Sequence, residues 1–135
     1  MRFSRTTEYA LRTLAFMSQA EKRPYSSRAL HRQLRIPQKY LQRLLTDLTK
    51  HRLIDSTRGR AGGYVIAKGL KKITLLDVVE AVEGFERDPR CFFGFSTCPL
   101  KTPCTMHDRW SKQHRALLRL LTNTRLADLI AGAKN

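Results

Sequence analysis

The order of elements between residues 26 and 67 constrains the fold more than any other feature of the sequence. A short helical pattern starting at Ser26 or Ser27 is followed, after the turn Arg35-Ile36-Pro37, by a second and stronger helical pattern. Four leucines at helical spacing give the second helix one apolar stripe: Leu41, Leu44, Leu45 and Leu48. Two helices joined by a tight turn predict either a helix-turn-helix or a plain αα-hairpin with a solvated outer face.

The segment after the second helix favours the helix-turn-helix. Residues 53–57 and 64–67 have the composition of two short strands, and Arg58-Gly59-Arg60-Ala61-Gly62-Gly63 joins them. Glycines let the tip of such a hairpin approach a surface closely, and arginines there suit phosphates or a narrow minor groove. We therefore expect a winged helix, within a mainly α fold that has one small β-hairpin.

Basic and amide side chains on this unit predict a contact with double-stranded DNA. Arginine and glutamine match the base-edge patterns of the major groove, and they occupy the outer face of the second helix. The expected DNA contacts come from the first helix, the second helix and the hairpin tip: Ser27, Arg28, Gln38, Lys39, Tyr40, Gln42, Arg43, Arg58, Gly59 and Arg60.

The charge distribution points to the same half of the chain. The formal net charge is +15, and residues 1–70 hold 15 Lys and Arg against 4 Asp and Glu, whereas residues 71–135 hold 11 against 7. Such an excess of positive charge is typical of proteins that meet phosphate. A basic composition alone would also suit a ribosomal protein or a protein at a membrane surface.

All three cysteines fall in one segment, CFFGFSTCPLKTPCTMH, from Cys91 to His107. Gly94, Pro99 and Pro103 interrupt regular structure there, so the thiols are expected on a loop. Thiolates select zinc, copper(I) or iron-sulfur clusters, and the Cys-x-x-His step from Cys104 can supply a fourth ligand. The alternatives are ordinary loop cysteines, or one disulfide with a spare thiol.

Two further helical patterns flank the cysteine segment. Thr74 can cap the first, with Asp77 closing a capping box and Gly84 ending the helix. The second runs from about Thr105 to Thr122, and a final short helix starts at Thr124. The second carries a stripe that we interpret as a dimerisation surface: Trp110, His114, Leu117, Leu118 and Leu121.

Other functional classes leave no sequence signal. No Gly-rich phosphate loop, nucleophile elbow or His-Glu-x-x-His motif occurs, so an enzyme is not expected. No apolar run approaches a membrane span and no signal-peptide core follows Met1, so we expect a cytoplasmic protein without a membrane partner.

These motifs together resemble the IscR and NsrR family of bacterial winged-helix transcription regulators. The similarity rests on MRFSRTTEYALRTL at the start, the helix from Pro37 to Leu48, STRGRAGGYVIAK at the hairpin, ITLLDVVEAVEG and the three-cysteine loop. The resemblance implies a homodimer with a long crossed helix. It also implies a 2Fe-2S or 4Fe-4S cluster on the loop that controls DNA binding in response to nitric oxide, redox state or iron.

The resemblance also implies ligands and roles. Cys91, Cys98 and Cys104 match the cluster cysteines, and Arg58 matches an arginine that the family inserts into the minor groove. For the fourth ligand, His107 matches the histidine of IscR-like sites, and Glu8 matches the position of an aspartate that NsrR-like proteins supply from the other subunit. The resemblance slightly favours Glu8, because the N-terminal segment is more similar to NsrR, while the Cys-x-x-His step keeps His107 nearly level.

The predicted organisation has three parts. A winged-helix DNA-binding domain spans residues 1–84, a cluster-binding loop spans 85–104, and the dimerisation and C-terminal helices span 105–135. The predicted function is a DNA-binding regulator, with repression as the expected effect and no small-molecule substrate. Two other interpretations stay open: a small iron-sulfur redox protein, and a winged-helix regulator with a structural zinc.

Overall fold

The computed structural model describes residues 3–20, 23–67, 69–100 and 104–133, with residues 130–133 described by their backbone only. The helices are α1 (Arg5–Met17), α2 (Ser27–Leu34), α3 (Gln38–Lys50), α4 (Leu75–Val82), α5 (Thr105–Asn123) and α6 (Leu126–Ala133). Strands β1 (Ile54–Thr57) and β2 (Gly63–Ile66) form one antiparallel hairpin, and 3-10 turns cover Ser18–Ala20 and Leu70–Lys72. The predicted fold class is confirmed.

Side-chain caps fix where α1, α2 and α4 begin. Ser4 accepts a hydrogen bond from the Thr7 N–H at 3.2 Å, and Ser26 accepts one from the Ala29 N–H at 3.0 Å. Thr74 and Asp77 form the predicted capping box at the start of α4. Each cap satisfies an amide that the helix itself cannot pair, so these short helices have defined first turns.

Glycines shape the hairpin and its attachment to the helices. Ile54 pairs with Ile66 and Thr57 with Gly63 along the two strands. A short bridge between Tyr25 and Tyr64 adds the segment before α2 to the edge of β2. Gly63 has φ +151°, and a Cβ atom there would lie 2.6 Å from the Tyr25 carbonyl oxygen. Any side chain at this position would push the hairpin away from the helices.

One apolar core unites the winged-helix region. The leucine stripe of α3 is fully buried, and it packs with residues from α1, α2, β1 and α4. Further fully buried members come from these elements, among them Leu14, Leu30, Ile54 and Val78. The core therefore fixes which face of α3 points to solvent.

A second, smaller cluster attaches α5 to α4. Leu121 is 2% exposed and packs with Leu76 and Val79, while Leu117 and Leu118 lie half-buried against the same group. The end of α5 is held further by the Leu75 N–H, which donates to the Thr124 carbonyl at 2.9 Å. Because Thr124 is extended and part of this pairing, the final helix starts at Leu126 rather than at Thr124.

No helix within the described ranges is long and apolar enough to cross a membrane.

Candidate DNA-binding surface and cysteine loop

The outer face of α3 is exposed along its whole length. Because the four leucines are fully buried on one side, residues at positions 39, 43, 46 and 50 face the opposite way. Lys39 and Arg43, which were predicted to contact DNA, lie on this exposed face, and so do the predicted Gln38 and Gln42 at its edge. The face offers cationic and amide donors to a groove.

The other predicted contact residues lie on both sides of this face. Arg28 is exposed on α2 and Ser27 is half-buried at the start of that helix. Tyr40 is 41% exposed, and its ring centroid lies 6.0 Å from that of Tyr9 on α1. The Tyr40 ring therefore also joins α3 to α1, so it has a packing role besides the predicted one.

The hairpin tip presents two exposed arginines on a constrained backbone. Arg58, Gly59 and Arg60 are all exposed, and Gly59 has φ +106°, a conformation that side chains rarely adopt. The Gly62 N–H donates to the Gly59 carbonyl at 3.0 Å, which closes the turn. The tip is thus a defined loop that carries positive charge beyond the edge of the helical core.

The cysteine loop has a different character. Residues 85–100 contain no helix or strand in the described structure, and all three cysteines are free thiols. A disulfide with one spare thiol, one of the alternatives left open by the sequence, is therefore not what the structure shows. The thiols line a single cavity of about 420 Å³ between this loop and the start of α5, together with His107 and Trp110.

The backbone N–H groups that follow Cys91 in the chain act on its thiol. Hydrogen bonds from the N–H groups of Phe95 and Phe93, with a smaller one from Gly94, hold the pKa of the Cys91 thiol below its usual value. Partial burial acts in the opposite direction and is outweighed by the amides of Phe95 and Phe93. Cys91 is thereby prepared to exist as a thiolate, the form that binds metals.

The two candidates for the fourth ligand lie in different places. His107 is exposed in the first turn of α5 and lines the cavity with the thiols. Glu8 is half-buried in the first turn of α1, and it is absent from the described residues that line the cavity. In the described part of the chain, no three His, Cys, Asp or Glu side chains are already grouped as a metal site. The thiols thus share a cavity without converging.

The predicted dimerisation stripe is partly internal to the chain. His114 is 9% exposed; its ring stacks on Phe85 at 5.1 Å, and its Nε2 lies at hydrogen-bond distance from the Glu86 carbonyl oxygen. Leu121 belongs to the cluster shared with α4. Little of either side chain is left for a partner subunit, whereas Leu120, on the outer side of α5, is 59% exposed.

Sequence reasoning missed the aromatic character of the cavity. Phe92 packs edge-on against Trp110 and Phe93, with ring centroids 5.4 Å apart in both pairs, and Phe95 also lines the space. Phe92, Phe93 and Phe95 are each about half exposed. The signal was three phenylalanines within five residues of Cys91, a density that indicates a site rather than a solvated loop.

Comparisons with known proteins agree with this architecture. A sequence profile of the Rrf2 family, described as iron-dependent transcriptional regulators, matches residues 3–132. The protein rrf2 of Nitratidesulfovibrio vulgaris is 31% identical over 134 residues, which cover 98% of this chain and 89% of that protein.

Two solved structures share the fold. CymR of B. subtilis, the global cysteine regulator, superposes with a TM-score of 0.76 at 24% identity, covering 97% of both chains. IscR of T. potens gives a TM-score of 0.77 at 23% identity, covering 98% of this chain and 88% of that one. With a family match over nearly the whole length, the chain belongs to the Rrf2 family of transcriptional regulators, and is a DNA-binding regulator and not an enzyme.

Proposed function

We propose that the chain acts in the bacterial cytoplasm as a homodimeric repressor whose operator binding is controlled by an iron-sulfur cluster on the cysteine loop. The observation that carries the sensing part is the shared cavity: three free thiols and one imidazole line the same space. Residues 1–84 would form the DNA-binding domain, residues 85–104 the sensory loop, and residues 105–135 the dimerisation part.

The DNA contact in this proposal uses the exposed faces described above. Arg43 and the amide side chains of α3 would read base edges in the major groove, while Arg58 at the hairpin tip would enter the adjacent minor groove. A winged helix reads only a few base pairs. Two-fold symmetry would therefore place two such surfaces about one helical turn apart on a pseudo-palindromic operator.

The donor set of the cavity fits an iron-sulfur cluster. Thiolates are the usual ligands of such clusters, and hydrogen bonds to sulfur tune their reduction potential. The backbone N–H groups of Phe95 and Phe93 would donate such hydrogen bonds to the Cys91 sulfur, and Cys98 and Cys104 complete three thiolates. Phe92 and Trp110 would limit the access of water. When bound, the cluster would supply a group that reacts with nitric oxide or oxidants and whose presence depends on the supply of iron.

For the fourth ligand we favour His107 of the same chain. It lines the cavity, and its backbone N–H donates to the Cys104 carbonyl at 3.1 Å, so ligand and thiol belong to one local turn. Glu8 of the partner subunit is the competing ligand. It would connect cluster loss directly to α1, which packs against α3.

The absorption spectrum of anaerobically purified protein tests the cluster. We expect charge-transfer bands in the visible region for the wild type, and their loss or weakening in Cys91→Ser, Cys98→Ser and Cys104→Ser. Ser96→Ala is the matched control, because Ser96 lines the same cavity without a thiol. A colourless protein that contains one zinc per chain would instead establish a structural zinc site.

The fourth ligand is tested by comparing His107→Ala with Glu8→Ala in Mössbauer and absorption spectra. We expect the His107 variant to change its cluster and the Glu8 variant to keep it. The reverse result would assign the fourth ligand to Glu8.

Operator binding tests the DNA-binding surface. Arg43→Ala should weaken binding to a cognate operator by about 1–3 kcal/mol for each half-site, as expected for loss of a bidentate base contact, and should relax base preference at one position of each half-site. Arg115→Ala, which removes an exposed arginine from α5, is the control. Unchanged operator affinity after Arg43→Ala and Arg58→Ala together would contradict the assignment.

A further inference from the structure

Two arginines adopt a left-handed backbone conformation that residues other than glycine normally avoid. Among the described residues, only Arg35 and Arg52 combine a positive φ with a side chain, with φ values of 54° and 60°. Both are exposed. They stand at the two ends of α3, Arg35 three residues before its first residue and Arg52 two residues after its last.

Arg52 occupies a position where glycine is usual. Its N–H donates to the Thr49 carbonyl at 3.0 Å and the Leu53 N–H donates to the Leu48 carbonyl at 3.0 Å. This pair of bonds is the Schellman arrangement, whose left-handed residue is most often glycine because a Cβ atom is disfavoured there. The chain keeps a long charged side chain at this point.

Arg35 repeats the pattern in the turn between α2 and α3. It is the left-handed C-cap of α2, and its N–H donates to the His31 carbonyl at 2.9 Å. The His31 Nδ1 lies 2.7 Å from the Ile36 carbonyl oxygen, which fixes the residue that follows. The turn therefore imposes a left-handed residue, and the sequence again supplies arginine.

Neither side chain has an evident structural role. In the part of the chain that the structure describes, neither guanidinium takes part in a side-chain hydrogen bond, an ion pair or a stacking contact on an aromatic ring. Strained residues persist where surrounding structure imposes them, and they concentrate at functional sites. We therefore expect these two arginines to contact a binding partner rather than another part of the protein.

The length of α3, compared with the width of the major groove of DNA, points to phosphates as the groups that the two arginines contact. Thirteen helical residues span about 20 Å, whereas the major groove of B-DNA is about 12 Å wide. A helix lying across the groove therefore brings its two ends to the two phosphate backbones. Between these ends runs the exposed stripe of Lys39, Arg43, Thr46 and Lys50, opposite the buried leucines.

We propose that Arg35 and Arg52 bind DNA phosphates on either side of the major groove and so fix α3 at both ends. This inference rests on the proposed operator binding and adds two residues outside the predicted contact set. Because phosphates carry no sequence information, the arginines would set the position and depth of α3, while residues on its face select bases.

Substitution by glycine gives a test in which stability and binding move in opposite directions. Arg35→Gly and Arg52→Gly should each keep or raise the melting temperature, by up to about 4 °C, because glycine accepts the left-handed backbone. Each should weaken operator binding about 10- to 25-fold, because the proposed dimer loses two exposed ion pairs and each is expected to contribute about three- to fivefold. Because the proposed dimer loses one arginine in each subunit, each variant should also reduce the slope of log K against log salt concentration by about 1.8, which is about 0.9 for each phosphate contact.

Two matched variants complete the experiment. Arg35→Lys and Arg52→Lys keep the charge and should retain the salt slope, whereas Arg115→Gln removes one exposed charge from α5 and should leave the slope unchanged. A salt slope unchanged in both glycine variants, or changed no more than in Arg115→Gln, would overturn the inference. So would a marked loss of stability in the glycine variants, because it would give the arginines a structural role. If the wild type bound no operator at all, the proposed function itself would fail.

Discussion

The winged-helix region and the cysteine loop differ in regular secondary structure and in how far their apolar side chains are buried. From Ser4 to Val82, the helices and the hairpin enclose a core whose leucines and isoleucines are fully buried. From Phe85 to Leu100, the described backbone has no helix or strand, and Phe92, Phe93 and Phe95 each leave about half of their surface exposed. The first region buries its large apolar side chains, whereas the second leaves these three half exposed.

The difference indicates which interactions stabilise each region. Burial of apolar surface and paired amides stabilise the first region without any ligand. In the second, thiols share a cavity and backbone N–H groups act on the sulfur of Cys91, yet much apolar surface still faces solvent. A ligand or a second subunit would cover that surface, so the folding of the loop is expected to depend on its occupant.

The largest predicted effect measures this contrast directly. Leu45→Ala in α3 should lower the free energy of unfolding by about 2–5 kcal/mol, because it leaves a cavity at a fully buried position. Phe93→Ala in the metal-free protein should change the free energy of unfolding by less than about 0.5 kcal/mol, because the Phe93 side chain is 60% exposed. Urea denaturation of both variants provides the measurement.

A loss above about 2 kcal/mol for Phe93→Ala would break the comparison. It would show that the loop is part of the cooperative core. An unchanged m-value in both variants would confirm that the same surface is exposed on unfolding, so that the two free energies can be compared.

The sequence predicts the winged-helix region more fully than the cysteine loop. The reason is that spacing identifies contacts between residues close in the chain and not between distant ones. The leucines of α3 and the capping box of Thr74 and Asp77 act through residues three or four positions apart, so their spacing alone defines the helices. Leu121 packs against Leu76 and Val79, more than forty residues away, and spacing cannot identify such a partner. An apolar stripe predicts burial but does not say whether the covering surface is the same chain or another.

The cysteine loop shows the same limit more strongly. The clustering of its cysteines predicted a shared metal site; the three thiols line one cavity, but among the described residues no three potential ligands are grouped. The amides around the Cys91 sulfur depend on the local backbone path, which no residue pattern specifies. The left-handed conformation of the two arginines that flank α3 could not be predicted from the sequence either, because glycine is the residue that usually indicates such a backbone.

A prediction of intermediate size concerns the junction between the two regions. A carboxylate oxygen of Glu83 accepts hydrogen bonds from the Ser4 N–H, at 3.2 Å, and from the hydroxyl of Thr7. Thr7 is fully buried, so Glu83→Ala should lower the free energy of unfolding by about 1 kcal/mol by removing a hydroxyl acceptor. Thermal or urea denaturation measures this loss.

Glu86→Ala is the matched control for this junction. Glu86 makes an exposed ion pair with Arg90, a kind of contact that contributes little, so its removal should cost about 0–0.5 kcal/mol. Equal effects of the two substitutions would show that the bond between Glu83 and α1 contributes nothing beyond surface charge. The loop would then be attached to the winged-helix region mainly through the packing of Phe85 and α5 against α4.

The smallest predicted effect concerns the Cys91 thiol in the metal-free protein. The backbone N–H groups of Phe95 and Phe93 favour the thiolate and hold the pKa of Cys91 below its usual value. Because the thiolate is the form that attacks iodoacetamide and displaces iodide, the rate of reaction at Cys91 should reach half its maximum at a lower pH in the folded protein than in urea. The double variant Cys98→Ser with Cys104→Ser leaves this single thiol for the measurement, and urea removes the amide contacts while keeping the sequence. A midpoint that is equal in both states, or higher in the folded state, would mean that the amides do not hold a thiolate without a ligand. The loop would then differ from the winged-helix region even more than its exposed surface indicates, since its sulfur environment would also form only when the site is filled.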